Sequence, residues 1–206
     1  MDGAEFTPIE TPKLAEPGAG LPRIELMLGR VLFRKRRRRT SREGFEKMFE
    51  DERANIGELA ESRLDSQLSS PVLIERIRGL EDSSRYWSVF MTLEHLGIVN
   101  SGITNAIHLL SRGKVPTRES STSDVKPSAE AGAGSRELFE RSCDDFLTRS
   151  RAVEKLATEK RYRHPWFGPL DAAGWHALAA THMRIHRIQI ERILAGLESK
   201  PGAAGV

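Results

Sequence analysis

Cysteine is all but missing from this chain: Cys143 is the only one among 206 residues. That excludes an internal disulfide framework and a zinc cluster of several thiolates, and it agrees with a reducing compartment. A metal held by this chain has to rest on histidine and carboxylate. Long apolar runs are missing as well. None approaches the roughly 20 residues that cross a bilayer, and "IELMLGRVLF" is interrupted by Glu25 and Arg30. The opening "MDGAEFTPIETPKLAEPGAG" is acidic and rich in Pro and Gly, where a secretory leader is basic and then apolar. The expectation is a soluble, cytoplasmic protein with no membrane span.

Charge of one sign is not in excess over the whole chain, with 32 basic against 29 acidic residues and a net +3. It is concentrated locally. "RKRRRRTSR", Arg34 to Arg42, carries seven positive charges, and without them the remainder is at −4. Arg36, Arg37, Arg38 and Arg39 are candidate contacts for phosphate on nucleic acid or an anionic lipid surface. The run lies between two amphipathic stretches (Ile24, Met27, Leu28, Val31, Leu32, then Phe45, Met48, Phe49, Ile56, Leu59). It reads foremost as a solvated helical turn or connector. No aromatics are interleaved with it to stack on bases, and no zinc-finger or RNA-module spacing accompanies it, so nucleic acid is not the expected partner.

The rest reads as helix, because apolar residues recur at three and four positions and strand-like alternation is not sustained. One helix is expected from about Ser41 to Leu64, and "PVLIERIRGL" continues as a shorter piece that stops at "EDSS". The next is capped by Ser88 and runs to about Arg112, where Gly113 offers a stop. Its inward line is Met91, His95, Ile98, Gly102, Asn105 and Leu109. Residues 113–134 have the composition of a long surface crossover. "SRELFERSCDDFLTRSRAVEKLATEK" supplies a third helix, with a stripe of Leu138 or Phe139, Ser142 or Cys143, Phe146, Val153 and Leu156. "RYRHPWFGPL" interrupts it. Asp171 caps the last helix, whose inward arc holds Trp175, Leu178, Ala179, His182, Ile185, His186, Gln189, Ile190 and Ile193. The fold class is therefore all-α. Four main helices and one long crossover pack naturally as a four-helix bundle, with residues 1–40 as an extension and residues 197–206 as a flexible tail.

Within "HMRIH", His182 and His186 stand one helical turn apart on the inward arc and can aim at a common point. An i, i+4 pair of histidines also arises by simple packing. His95, on the inward line of a different helix, strengthens the metal reading. Three imidazoles from two helices suit Zn, Ni or Fe and leave positions open, as in a catalytic rather than a closed structural site.

Two stretches carry a resemblance to a known family: "YWSVFMTLEHLGIVN" and "HPWFGPLDAAGWHALAATHMRIHRIQIERI". The first has a Trp-Ser pair before the helix and a histidine seven residues after that serine. The second has an aromatic-Gly turn and an H-x-x-x-H pair followed by glutamine. In these, residues 41–196 resemble the DinB/YfiT-like superfamily of four-helix bundles. The resemblance implies an up-down-down-up bundle, often a homodimer, with a divalent metal on the positions matching His95, His182 and His186. It also implies a small-molecule substrate. Some members are thiol-dependent S-transferases or isomerases that use a low-molecular-weight thiol such as mycothiol or bacillithiol, and a few resemble metal-dependent hydrolases. The chain departs from the pattern in its extension, its arginine run and its long crossover.

Around such a site, Gln189 is a candidate to orient a ligand or water, against a plain interhelical hydrogen bond. Glu94 is a candidate carboxylate, although it is rotated about 100° from His95. His164 and Trp166 belong to the "HPWFG" turn and are candidate pocket residues. Cys143 reads as core, while His108 and His176 fall off the inward arcs. Three functional readings follow: a metal-dependent enzyme activating a thiol or water, a non-catalytic bundle with a structural or binding histidine cluster, and an anion-binding module led by the arginines.

Overall fold

A computed structural model describes residues 12–199. The expected flexible tail at 197–206 lies outside them from residue 200 onward, and the last helix runs through Glu198. Three helices start where a polar side chain caps free backbone N–H groups. Ser41 Oγ accepts from the Gly44 N–H at the start of α2 (Arg42–Glu61). Ser88 Oγ accepts from the Met91 N–H at the start of α4 (Val89–Ser111), at 3.1 Å. Asp171 Oδ1 accepts from the Gly174 N–H at the start of α6 (Ala172–Glu198), at 2.8 Å. Gly113 ends α4 in the left-handed region, φ +70°, a conformation costly for a residue with a Cβ.

With α5 (Gly134–Arg151) these helices form a four-helix bundle. Side-chain contacts set the directions. Glu46 and Glu52 of α2 meet His176 and Arg187 of α6, so those two helices are parallel. Arg53 and Arg151 pair α2 with α5 antiparallel, through Glu140, Asp144, Glu46 and Glu50. Gly97 lies against Leu138 and Asn100 reaches Ser142, so α4 runs parallel to α5, while His95 lies beside His186 and Asn100 reaches Met183, so α4 runs antiparallel to α6. The topology is up-down-down-up. Parallel α4 and α5 require the long crossover, which contains one 3-10 turn, Ser123–Val125.

A single turn, α3 (Asp65–Leu68), follows α2. Two expectations about elements need correction. "PVLIERIRGL" is not helical: β1 (Val72–Leu73) pairs antiparallel with β2 (Tyr86–Trp87), with Val72 opposite Trp87. Val72 and Ile74 are buried and Leu73 is exposed, a period of two over too few residues to stand out. A second hairpin, β3 (Tyr162–His164) with β4 (Gly168–Leu170), occupies the expected break before α6. The third helix stops at Arg151 instead of running on. Arg42 caps its end by donating to the carbonyls of Ser150 and Val153 at 2.6 and 2.8 Å.

The inward line of α4 also differs beyond His95. Gly102 and Asn105 are exposed, and the core is filled by Leu96, Asn100, Ile103, Ile107 and Leu110. This helix is central, with α5 on one side and α6 on the other. The expected line ran along its flank, where Val99 and Gly102 border a cavity. The arginine run is the last two turns of α1 (Arg23–Arg39), preceded by its apolar stretch. Among the described residues no helix is long and apolar enough to cross a membrane.

Candidate metal centre

His95 from α4 and His182 and His186 from α6 meet at the cavity, and one ring nitrogen of each lies within 4.8 Å of the others. His182 Nε2 is 3.2 Å from His95 Nε2 and 3.1 Å from His186 Nε2. His95 and His186 are buried and His182 is half-buried. Burial pushes all three imidazoles below their ordinary range, His95 to about 4, so each is neutral near pH 7.

The far side of two rings fixes which nitrogen carries the proton. His95 Nδ1 donates to the Val125 carbonyl at 2.6 Å, since a carbonyl only accepts. Gln189 Nε2 donates to the Ser84 carbonyl at 2.7 Å, so its Oε1 accepts from His186 Nδ1 at 2.7 Å. Both Nε2 atoms therefore present lone pairs toward His182. His182 Nδ1 is buried without a hydrogen-bond partner among the described residues. A neutral His182 can donate from Nε2 to only one of its two neighbours. Three convergent lone pairs are better matched by one cation, and ligands about 2.0–2.1 Å from a common tetrahedral ion stand roughly 3.3 Å apart, close to the spacings here. The donor set fits a borderline divalent ion.

The crossover and the segment before α4 wall the cluster. Lys126 pairs with buried Glu81 at 3.0 Å and lies 5.3 Å over the Trp87 ring. Burial pushes the Glu81 carboxyl up, but Lys126, Thr122 and the Gly18 N–H together outweigh it and hold the carboxyl below the usual range. The Trp87 ring lies 5.1 Å from the His95 ring and 6.2 Å from the His186 ring. Val125, Lys126, Glu81 and Ser84 escaped the sequence reading, because nothing in a loop composition reports which helix it will cover.

The other candidates sort by position. Gln189 touches His186 directly. Glu94 is turned away, and its carboxylate accepts from the Ser128 N–H at 2.6 Å, fastening the crossover. His164 and Trp166 line the cavity. His164 Nδ1 accepts from the N–H groups of Trp166 and Phe167 and so locks the hairpin turn. His176 lies within the packed interior, contrary to its expected place off the arc, and its ring stacks on Phe146 at 5.5 Å. The first turns of α6 are covered by α2 and α5 as well as α4, so burial there extends beyond one arc. Cys143 is core: burial pushes its thiol up to about 12, and it does not line the cavity. Of the arginines, Arg36 and Arg39 border the cavity, Arg37 pairs with Asp171 at 2.6 Å, and Arg38 and Arg39 are exposed.

The cavity measures about 1360 Å³ and reaches from the histidines to Trp166, Trp175 and the α1 residues Ile24, Leu28 and Leu32. It is large enough for a substrate of drug size or more.

No family model and no curated protein matches the chain. Among solved structures it is similar to TT2238, described as a four-helix bundle protein, with a TM-score of 0.54 and 20% identity over 73% of this chain and 98% of that one. The likeness shows the fold and carries no activity with it.

Proposed function

We propose that the protein is a metal-dependent enzyme of the DinB/YfiT-like kind, with His95, His182 and His186 as ligands of a divalent Zn, Ni or Fe ion. The observation that carries this is the convergence of the three Nε2 atoms, with the Nδ1 protons of His95 and His186 committed elsewhere. A divalent ion on neutral imidazoles keeps its full charge and lowers the pKa of a coordinated thiol or water. Gln189 and Val125 hold two of the imidazoles in the ligating tautomer. The aromatic and aliphatic walls would exclude bulk water and orient the apolar part of a small-molecule substrate.

A low-molecular-weight thiol as cosubstrate, giving S-transfer or isomerisation, is the leading form of this reading, and hydrolysis is the other. The same resemblance carries the homodimer. Continuity of the histidines with a large cavity favours a working site over a purely structural one, which would be closed.

The test is elemental analysis of the untagged protein beside His95→Ala and His182→Ala. About one divalent ion per native chain and none in either folded variant is expected of a three-ligand site. Absence of metal from the native protein, even after reconstitution with Zn or Ni, would sink the proposal.

A further inference from the structure

One surface reaches beyond the metal centre: the outward face of α1, one side of which borders the cavity. The opposite face of this helix is fastened to the body. Glu25 accepts from Arg76 and from the Gly79 N–H, Arg30 donates to the Trp166 carbonyl, Phe33 is buried against Phe167 and Arg37 pairs with Asp171. The helix is therefore held in one orientation, with the side opposite these contacts turned out. Over its first turns these are Ile24, Met27, Leu28, Val31 and Leu32, each between 53% and 72% exposed. Over its last turns they are Arg34, Lys35, Arg38 and Arg39, all exposed. None of these four pairs with a carboxylate among the described residues, and the only acid on the helix, Glu25, is engaged on the other face.

We propose that this face docks the protein on an anionic lipid surface. Large aliphatics and cations sharing the outward side of one helix match an interface in which apolar groups enter the acyl boundary and cations meet lipid phosphates. Long basic side chains reach the headgroups while their stems stay in apolar contact. A nucleic-acid backbone would satisfy the cations and leave five exposed aliphatics unused. A second copy presenting the same face would bring the cations together in a parallel pairing, or bury them against aliphatics in an antiparallel one. Other large exposed apolar residues among those described, Leu64, Leu73 and Val115, lie on separate segments and form no counterpart. Ile24, Leu28, Leu32, Lys35 and Arg39 also line the cavity, whereas Met27, Val31, Arg34 and Arg38 do not, so docking would bring the cavity mouth to the lipid.

The experiment is vesicle flotation of the full-length protein, with phosphatidylcholine vesicles containing or lacking phosphatidylglycerol. Met27→Glu/Val31→Glu and Arg34→Glu/Arg38→Glu are compared with the native protein, each checked for an unchanged melting temperature. Neither Met27 nor Val31 lines the cavity, so a loss of binding in that variant reads the outward face alone. Binding to the anionic vesicles at least about tenfold above the neutral ones, falling to the neutral level in both variants, is the expected result. Equal binding to both vesicle types overturns it, as does an aliphatic variant that binds like the native protein. A dimer in sedimentation that Met27→Glu/Val31→Glu dissociates, with no vesicle binding, would assign the face to a second copy instead. Tight binding of a DNA duplex that survives that variant, again without vesicle binding, would assign the cations to nucleic acid.

Discussion

Gln189 is held at both ends of its amide, by the Ser84 carbonyl and by His186 Nδ1. Neither contact can turn over without losing the other, so the side chain acts as a fixed acceptor that sets the His186 tautomer. Gln189→Leu keeps the volume and removes both bonds. The expected outcome is a fall of about 10- to 100-fold in affinity for a divalent ion, read by competition with a chelator, while the helical circular dichroism is retained. Unchanged affinity would mean that His186 is oriented by packing alone. Gln189 on the inward arc was legible from helical spacing. Its partner Ser84 was not, since it stands 105 residues earlier in a turn.

Among the elements, the crossover between α4 and α5 does more than connect. Its Val125 carbonyl fixes His95, and its Lys126 reaches Glu81, Ser83 and Ser84 at 2.8 to 3.0 Å. The Glu81 carboxylate is nearly fully buried and is further satisfied by Thr122. Lys126→Met would leave that charge buried without its cation, a loss of about 3 kcal/mol by the usual cost of a broken buried pair. Urea denaturation measures the loss, and hydrogen exchange should show faster opening across residues 113–134. A stability change within about 0.5 kcal/mol, as for an ordinary surface substitution, would show the pair to be solvated. From composition this segment was recognisable as a long surface connection. Its role as a wall of the histidine site depends on contacts that local sequence does not encode.

At the scale of the whole molecule, buried neutral histidines tie stability to pH. Burial holds His176 at about 4 against an ordinary 6.5, with Glu46 pulling weakly the other way. Between those values the unfolded chain binds the proton and the folded chain does not. The stabilisation is therefore complete above about pH 6.5 and is lost as pH falls toward 4, at up to about 1.4 kcal/mol per pH unit. His164, also held at about 4 by burial, acts in the same direction. Between pH 7 and 4.5 the unfolding free energy of the native protein should fall by about 2 kcal/mol more than that of His176→Phe. Parallel curves would show that His176 does not titrate with unfolding.

What the sequence determined by itself is what local chemistry enforces. The caps Ser41, Ser88 and Asp171 begin helices because an oxygen beside the first free N–H groups is satisfied within three residues. The His182 and His186 pairing follows from one helical turn, and the bundle follows from four amphipathic faces. Tertiary structure decided the rest. It turned "PVLIERIRGL" into a strand by pairing Val72 with Trp87, ended α5 with the guanidinium of Arg42, and set Val125 against His95. It also chose which side of α1 faces outward. These contacts join residues far apart in the chain, where the choice of partner depends on the packing of the whole bundle rather than on the spacing of neighbours.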